Sequence, residues 1–157
     1  MSIRRTALVP PTPPVPPVIE LRDEAATDEL GARLAAFARA RDVVALHGDL
    51  GAGKTTLARG FIRALAGAEE EVPSPTFTLV QTYETVKGTV WHFDFYRLRA
   101  PDEAWELGIE EAFAGGISLV EWPGRIGTLL PKERLDVTLE MAGEGRRALL
   151  SGWEGRW

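Results

Sequence analysis

The spacing of apolar residues along the chain predicts alternating strands and helices. Short apolar runs at residues 43–46 and 117–120 are typical of buried strands, and residues 18–21 predict a further strand at a sheet edge. In two other segments, apolar residues recur every three to four positions, as in helices with one apolar face. They are Leu30, Leu34 and Phe37 in the first segment, and Leu57, Phe61 and Leu65 in the second. Thr27 is the predicted N-cap of the first helix, and Gly67 the predicted end of the second.

Two pairs of alternating segments predict β-hairpins. Residues 77–85 and 89–96 flank Lys87 and Gly88, and residues 135–141 and 146–150 flank a glycine-rich turn. A hairpin pairs its strands antiparallel, so the sheet should be mixed. A helix is predicted over residues 102–114 from the four-residue spacing of three apolar side chains. These are Trp105, Ile109 and Phe113. The pattern as a whole predicts one α/β domain, with a mixed central sheet flanked by helices.

One predicted strand has an unusual division of its two faces. Successive side chains of a strand point to opposite faces, so three aromatic residues face one side and three polar residues the other. The aromatic residues are Trp91, Phe93 and Phe95, and the polar ones are His92, Asp94 and Tyr96. The polar face is either solvated or part of a site. Asp94 is the stronger candidate for a site, and Glu121, at the end of the apolar run 117–120, is a second carboxylate placed where parallel sheets bind ligands.

Composition narrows the class of protein. Six of the 11 prolines lie between residues 10 and 17, so we expect a disordered tail over residues 1–17, although a ligand for an aromatic groove is the alternative. The folded domain should span residues 18–157. A net charge of −5 argues against a protein that holds nucleic acid by its own charge. The chain has no cysteine, no apolar run near the roughly 20 residues of a membrane span and no secretion signal, so we expect a cytoplasmic protein.

A glycine-rich stretch at residues 48–56, G-D-L-G-A-G-K-T-T, supplies the most specific chemistry. It matches the P-loop pattern G-x-x-x-x-G-K-[ST] without substitution, between a predicted strand and a predicted helix. In this pattern, backbone N–H groups surround phosphate oxygens, Lys54 reaches the β- and γ-phosphates, and the Thr55 hydroxyl can ligate Mg²⁺. Such a loop also needs a carboxylate from another strand to hold the metal. We therefore expect a P-loop NTPase-like domain in which Asp94 contributes to the metal site and Glu121 acts either on the metal or on the attacking water.

The segment Pro73–Ser74–Pro75–Thr76 has two interpretations. Its prolines fix an extended loop and leave the hydroxyls of Ser74 and Thr76 available. The loop is either a capped turn or a mobile loop near the γ-phosphate, and spacing alone favours neither. For Trp122, the residues alone favour a place in the core.

Four motifs in order resemble one family. Residues 48–56, S-P-T-F at 74–77, H-F-D-F-Y-R at 92–97 and E-W-P at 121–123 are similar to those of the bacterial TsaE (YjeE) ATPases, which act in forming threonylcarbamoyladenosine (t6A) beside the tRNA anticodon. The resemblance covers residues 18–151. It departs at Gly124, where many members have an acidic residue. The cofactors that it implies are ATP and Mg²⁺.

The resemblance also implies roles for individual residues. The implied nucleotide-binding residues are Asp49, Leu50, Gly51, Ala52, Gly53, Lys54, Thr55, Thr56 and Trp122. The implied metal ligands are Thr55, Asp94 and Glu121, and the implied catalytic residues are Lys54, Thr76, Asp94 and Glu121. His92, Tyr96 and Arg97 are implied to support either the site or a partner surface. Similar proteins act with TsaB and TsaD, so TsaB-like and TsaD-like partners are implied, with tRNA contacted only through that complex.

Three other functions remain to be weighed. A small-molecule P-loop kinase uses the same loop but needs an acceptor pocket and usually an arginine-bearing lid, for which only Arg97, Arg99 and Arg125 are available. A guanine-nucleotide switch is disfavoured because its N-K-x-D motif requires asparagine and this chain has none. A nucleotide held only as a structural ligand is disfavoured by the two strand-end carboxylates.

Overall fold

A computed structural model describes residues 18–156, which form a seven-stranded mixed sheet with helices on both faces. The strands are β1 (Val18–Leu21), β2 (Val43–His47), β3 (Val80–Thr85), β4 (Gly88–Asp94), β5 (Ile117–Glu121), β6 (Leu135–Ala142) and β7 (Gly145–Ser151). The helices are α1 (Glu24–Phe37), α2 (Lys54–Ala66) and α3 (Ile109–Gly115), with 3₁₀ segments at Pro101–Leu107 and Pro123–Leu129. The predicted tail at residues 1–17 lies outside the described residues and stays a prediction.

The strand order β1-β7-β6-β2-β5-β4-β3 confirms the mixed α/β sheet. β2 pairs in parallel with β5 and β6, and β5 pairs in parallel with β4. The hairpins β3–β4 and β6–β7 are antiparallel, as their alternation predicts, and β1 pairs antiparallel with β7 at the edge. The carboxyl ends of β2, β4 and β5 therefore meet at one edge of the sheet, where the glycine loop follows β2.

Helices α1 and α2 cover one face of the sheet and touch backbone to backbone. A Cβ on Gly31 would overlap the carbonyl oxygen of Leu57, and one on Gly60 would overlap that of Asp28. Only glycine permits this close crossing. The predicted N-cap of α1 is wrong: Asp23, not Thr27, caps the helix by accepting a hydrogen bond from the N–H of Ala26 at 2.8 Å. The helix thus begins earlier, and Thr27 is buried in its first turns.

The second face is covered by α3 and the two 3₁₀ segments, around a core that contains Phe93, Phe95 and Ile126. The single helix predicted over residues 102–114 is wrong, because it is broken at Gly108, whose φ of 90° is left-handed. A Cβ there would lie 2.9 Å from the Trp91 ring, so glycine is required for packing as well as for the turn. The break leaves Trp105 half exposed.

The end of the described chain joins the core. Trp153, whose packing the sequence does not predict, is buried in the cluster shared by α1, α2 and the sheet. Arg156 forms a bidentate ion pair with Asp42 and lies over the Trp153 ring. No helix within residues 18–156 is long and apolar enough to cross a membrane.

Candidate functional site

The glycine loop leads directly from β2 into α2, as the motif predicts. Gly48 has a φ of 147°, and a Cβ there would lie 2.6 Å from the carbonyl oxygen of Leu139, so the chain can leave β2 in this direction only with glycine. Gly53, with a φ of 108°, turns the chain into α2, whose first residue is Lys54. The unsatisfied N–H groups at the helix N-terminus therefore belong to the same loop, which favours an anion there.

Lys54 is held inward, across the loop. Its ammonium group donates hydrogen bonds to the carbonyl oxygens of Gly48 and, at 2.9 Å, of Asp49, and lies 4.3 Å from the centroid of the Trp122 ring. Burial lowers the pKa of Lys54, and the carboxylates of Glu121 and Asp94 partly oppose this effect. The lysine is therefore a buried cation beside two buried carboxylates.

Glu121 links three elements through its carboxylate. The Thr55 hydroxyl donates to both of its oxygens, at 3.1 and 2.9 Å, and Nε2 of His92 lies 2.7 Å from Oε2. Thr55 comes from α2, His92 from β4 and Glu121 from the end of β5. The polar face of β4 is thus buried rather than solvated, since His92 and Asp94 are 0% and 4% exposed.

Asp94 ends β4 and is the register partner of Glu121 on β5. One carboxylate oxygen accepts the Tyr96 backbone N–H at 2.9 Å, and the other accepts the Thr76 hydroxyl at 3.3 Å. Burial raises the pKa of Asp94, to which the nearby charge of Glu121 adds, while the hydrogen bonds from Tyr96 and Thr76 act in the opposite direction. An additional cation at this position would therefore be stabilised.

The loop that precedes β3 reaches this site. The Ser74 and Thr76 hydroxyls lie 2.7 Å apart, and Thr76 also bonds Asp94. Of the two interpretations of this loop, the structure favours proximity to the site; its mobility stays a prediction. Leu79 ends the loop with a φ of 70°, a left-handed conformation that is strained for leucine.

Trp122 lies at the rim of the site and also packs against the second core cluster. It is half-buried, has a left-handed φ of 58° and packs against Tyr96 with ring centroids 4.8 Å apart. Its ring also faces the Lys54 ammonium group. The placement in the core favoured by the residues alone is borne out in part, because Trp122 packs against the core cluster around Phe93 and Phe95. The placement near the P-loop implied by the resemblance is also consistent with the geometry.

The remaining residues of the glycine loop differ in exposure and border a small cavity. Asp49, Leu50 and Gly51 are exposed at the crest of the loop, whereas Ala52 is buried beneath it. Next to them, a small cavity of about 180 Å³ is lined by the loop, the start of α1 and the β6–β7 turn. Its lining includes Thr27, Gly53, Thr56 and Arg146.

Arg146 is a loop-contacting residue that the sequence does not reveal. Its guanidinium group donates to the carbonyl oxygens of Ala52 at 3.2 Å and Gly51 at 3.0 Å. It comes from β7, far along the chain from the loop, within a strand that alternation predicts as an ordinary hairpin arm. No local sequence motif indicates that Arg146 contacts the loop.

The donors at the sheet edge suit Mg²⁺. Magnesium prefers oxygen ligands and usually takes one or two carboxylates, with waters and phosphates completing its shell. The Thr55 hydroxyl and the carboxylates of Asp94 and Glu121 provide such oxygens. The pKa of Asp94 is raised, and a bound cation would oppose that shift. Within the described part of the chain, no group of three or more His, Asp or Glu side chains is arranged to hold a metal ion. A metal here would therefore also depend on the hydroxyl and on phosphate.

A glycine loop between a parallel strand and a helix, with carboxylates on neighbouring strand ends, defines an α/β protein of the P-loop class. A family model described as "Threonylcarbamoyl adenosine biosynthesis protein TsaE" matches residues 21–149. The chain therefore belongs to the TsaE family, which confirms the family resemblance seen in the sequence.

Individual relatives agree with this assignment. A tRNA threonylcarbamoyladenosine biosynthesis protein TsaE from Bacillus subtilis is 45% identical over 116 residues, which cover 73% of this chain and 72% of the relative. The protein of the same name from Rickettsia felis is 43% identical over 127 residues, 81% of this chain and 74% of the relative. The crystal structure of Bacillus subtilis YdiB superimposes with a TM-score of 0.73 at 34% identity, over 89% of this chain and 87% of that one. The predicted fold class is thereby confirmed.

Proposed function

We propose that this chain is a Mg²⁺-dependent ATP-binding and ATP-hydrolysing subunit for t6A formation on tRNA, acting with TsaB-like and TsaD-like proteins. Membership of the TsaE family supports a role in threonylcarbamoyladenosine biosynthesis. The observation on which the proposal rests is the convergence of Lys54, Thr55 and the two carboxylates of Asp94 and Glu121 at one edge of the sheet.

The loop and the start of α2 would bind the phosphates. Backbone N–H groups and the positive end of α2 favour anions. Lys54 is already at the loop and has no carboxylate within ion-pair distance in residues 18–156, so its charge is available to the β- and γ-phosphates. The small cavity beside Thr56, which neither Asp94 nor Glu121 lines, is where the nucleoside would fit.

Thr55, Asp94 and Glu121 would hold the metal, which when bound neutralises phosphate charge. In the proposed reaction a water oxygen bonds to the γ-phosphorus, the bond to the β-phosphate oxygen breaks, and ADP and phosphate leave. Thr76 lies against Asp94 and would orient the groups near the γ-phosphate. Trp122 would cover the nucleotide side of Lys54 and limit access of solvent.

The acidic net charge of the chain is compatible with the proposed partners. A net charge of −5 is poorly suited to binding RNA directly, so contact with tRNA would come through TsaB-like and TsaD-like proteins. The proposed location is the cytoplasm, where tRNA is modified.

Two measurements test this proposal. Isothermal titration should show Mg²⁺-dependent ATP binding in the wild type and its loss in Lys54→Ala, because one charged phosphate contact contributes a few kcal/mol. Undiminished affinity in that variant would contradict the phosphate site. Phosphate release should be slow for the chain alone and should rise when a purified TsaB–TsaD pair is added; equal rates with and without the pair would contradict the partnership.

A small-molecule kinase remains the second candidate because of one observation. Arg97, Arg99 and Arg125 line a single cleft near Tyr96, which could hold an anionic acceptor. Incubation of the chain with ATP, Mg²⁺ and a panel of small hydroxyl metabolites distinguishes the two. Rapid phosphorylation of one of them without partner proteins would favour the kinase.

A further inference from the structure

Strand β3 is one of the two outer strands of the sheet, and its outer side has no strand partner among the described residues. The two-residue turn after β3 makes Thr85 and Gly88 a hydrogen-bonded pair, and the bond from the Asp94 N–H to the Leu79 carbonyl continues the same alternation. The residues between these pairs direct their backbone N–H and C=O groups away from β4, toward the free edge. They are Val80, Thr82 and Glu84.

This edge lacks most of the protection that outer strands usually have. Natural edge strands are kept from pairing by proline, lysine, a bulge or a covering segment. β3 has six residues and contains neither Pro nor Lys, and its Thr82 and Glu84 side chains are exposed. Val86, directly after the strand, is 85% exposed. An edge of this kind is suited to receive a further strand through main-chain hydrogen bonds.

A pocket of about 380 Å³ lies beside the free edge. We call it the β3 pocket and define it by Thr82, Glu84, Thr89, Trp91 and Glu111, which line it together with two glycines. The strand register places Trp91 opposite Thr82 and Thr89 opposite Glu84, so these four side chains share one face of the hairpin. A strand added to β3 would therefore direct every second side chain toward this pocket.

The β3 pocket carries negative charge and no positive side chain. Its lining includes Glu84 and Glu111 but neither Lys nor Arg. Neither glutamate has a cation within ion-pair distance in residues 18–156. The Thr89 hydroxyl donates to both oxygens of Glu84, at 3.1 and 2.9 Å, and so orients that carboxylate. Two carboxylates beside the Trp91 ring suit a guanidinium group, which binds carboxylates and stacks on aromatic rings.

The chain itself contains an arginine-bearing segment of the required charge. Residues 1–17 precede β1 and include Arg4 and Arg5 but no Asp or Glu. Around these arginines, residues 3–9 (I-R-R-T-A-L-V) contain neither Gly nor Pro, so their backbone is suited to pair with a strand edge. Because successive side chains of a strand point to opposite faces, one of two adjacent arginines would face the pocket in either register.

This segment is long enough to reach β3 from β1. β1 and β3 are the two outer strands of the seven, which at about 4.8 Å per strand spacing lie about 29 Å apart. The chain from Arg5 to Val18 spans about 40 Å at the roughly 3.1 Å per residue of Pro-rich segments. The difference leaves length for a path around the molecule.

Other occupants of the edge match its charge less well. β3 of a second copy, V-Q-T-Y-E-T, would bring a further glutamate and no cation. An RNA strand would bring phosphates toward Glu84 and Glu111, which would repel them. The segment around Arg4 and Arg5 brings positive charge and an extended backbone together.

We propose that residues 3–6 dock along the free edge of β3 in the same molecule, with an arginine beside Trp91, Glu84 and Glu111. Residues 10–17 act as the spacer that spans the sheet. Docking covers the edge and prevents it from pairing with other chains. For residues 3–6, this replaces the expectation of disorder. The inference is independent of the proposed nucleotide chemistry.

Spin labels on the full chain test the docked position. The chain has no cysteine, so Val86→Cys places a single nitroxide beside β3, outside the pocket. It should remove most of the amide NMR intensity of residues 3–6. Ser151→Cys is the matched control, because Ser151 is exposed on β7, the strand that pairs with β1. An undocked segment would meet the label at Ser151 more often than the label at Val86, whereas a docked one should be broadened far less from Ser151.

Charge reversal tests the arginine pocket. In the Val86→Cys chain, Arg4→Glu combined with Arg5→Glu should restore the intensity of residues 3–6, and adding Glu84→Arg with Glu111→Arg should broaden them again. Arg22→Glu is the control, since Arg22 is 92% exposed and lies outside the segment. It should leave the broadening unchanged. The Arg4→Glu, Arg5→Glu variant should also self-associate at lower protein concentration in sedimentation, because its β3 edge is uncovered.

Several results would overturn the proposal. Stronger broadening from Ser151 than from Val86 would mean that the segment does not dock on β3. Broadening that appears only when the labelled chain is mixed with an unlabelled, isotope-enriched chain would assign the segment to a second copy. Broadening that survives reversal of Arg4 and Arg5 would remove the arginine from the pocket. A reversed variant that stays monomeric at every concentration would contradict protection of the edge.

Discussion

Nε2 of His92 lies 2.7 Å from Oε2 of Glu121, and neither side chain has appreciable contact with solvent. Glu121 also accepts the Thr55 hydroxyl, so the imidazole and the first turn of α2 together fix the carboxylate. A carboxylate held by two side chains is pre-organised for a cation and for water. His92 therefore positions a proposed metal ligand without needing to touch nucleotide.

Replacement of His92 tests this positioning role. His92→Phe removes the hydrogen bond and should lower the ATPase rate about 10- to 100-fold, as is usual for residues that orient metal ligands. His92→Gln keeps an N–H donor near the position of Nε2 and should restore part of that rate. Steady-state kinetics at varied Mg²⁺ measure both. Equal rates for the two variants would show that only packing matters at this position.

Asp94→Asn should stabilise the metal-free protein at neutral pH. Burial raises the pKa of Asp94 above its ordinary value of 3.8. The contribution of the Asp94 carboxyl to the free energy of unfolding is therefore fully present below pH 3.8 and is lost as the pH rises through the folded-state pKa. The neutral amide avoids this loss. Thermal melts in chelator should show a higher midpoint for the variant at pH 7 and convergence with the wild type as pH falls toward 3.8.

Addition of Mg²⁺ should reverse that order. A ligand that binds only the folded state raises the midpoint, so Mg²⁺ with ADP should stabilise the wild type more than Asp94→Asn. Equal stabilisation of both proteins would remove Asp94 from the metal site.

Local patterns predicted the parts of the site that lie close together in the chain. The loop spacing placed Lys54 and Thr55, and the two-residue alternation of β4 placed Asp94 on a polar face. No local sequence pattern predicts contacts between segments that lie far apart in the chain. Arg146 meets the loop only because β7 is brought beside it by the sheet, and the pairing of His92 with Glu121 depends on the register of β4 and β5.

The two incorrect helix boundaries have different physical causes. Asp23 and Thr27 are both good N-cap residues, and local propensity cannot decide between them; the hydrogen bond from Ala26 to Asp23 does. Spacing alone also allows one helix through Gly108. Tertiary packing against Trp91 favours the left-handed conformation there, and it outweighs the helical pattern.

Because α1 and α2 cross so closely, one added methyl group at the crossing should lower the stability of the fold. Gly60→Ala places a Cβ against the Asp28 carbonyl and should destabilise the fold by about 1–3 kcal/mol, the usual cost of overpacking. Gly115→Ala is the matched control, since a Cβ there has nothing within 4 Å. Chemical denaturation should show a large loss of stability for the first variant and none for the second. A neutral Gly60→Ala would mean that the helices can separate freely.

Arg146 should matter for nucleotide binding although it lies outside the P-loop motif. Its two hydrogen bonds hold the carbonyls of Ala52 and Gly51 and fix the loop, whose N–H groups would face the phosphates of a bound nucleotide. Arg146→Ala removes these charged hydrogen bonds and should weaken ADP affinity by about tenfold. Arg147 is the matched control: it is the next residue, and its side chain is 42% exposed and paired with Glu20 and Glu140. Titration calorimetry should therefore find Arg147→Ala within about twofold of the wild type, since exposed ion pairs contribute little. Equal weakening in both variants would point to a general effect of positive charge rather than to orientation of the loop.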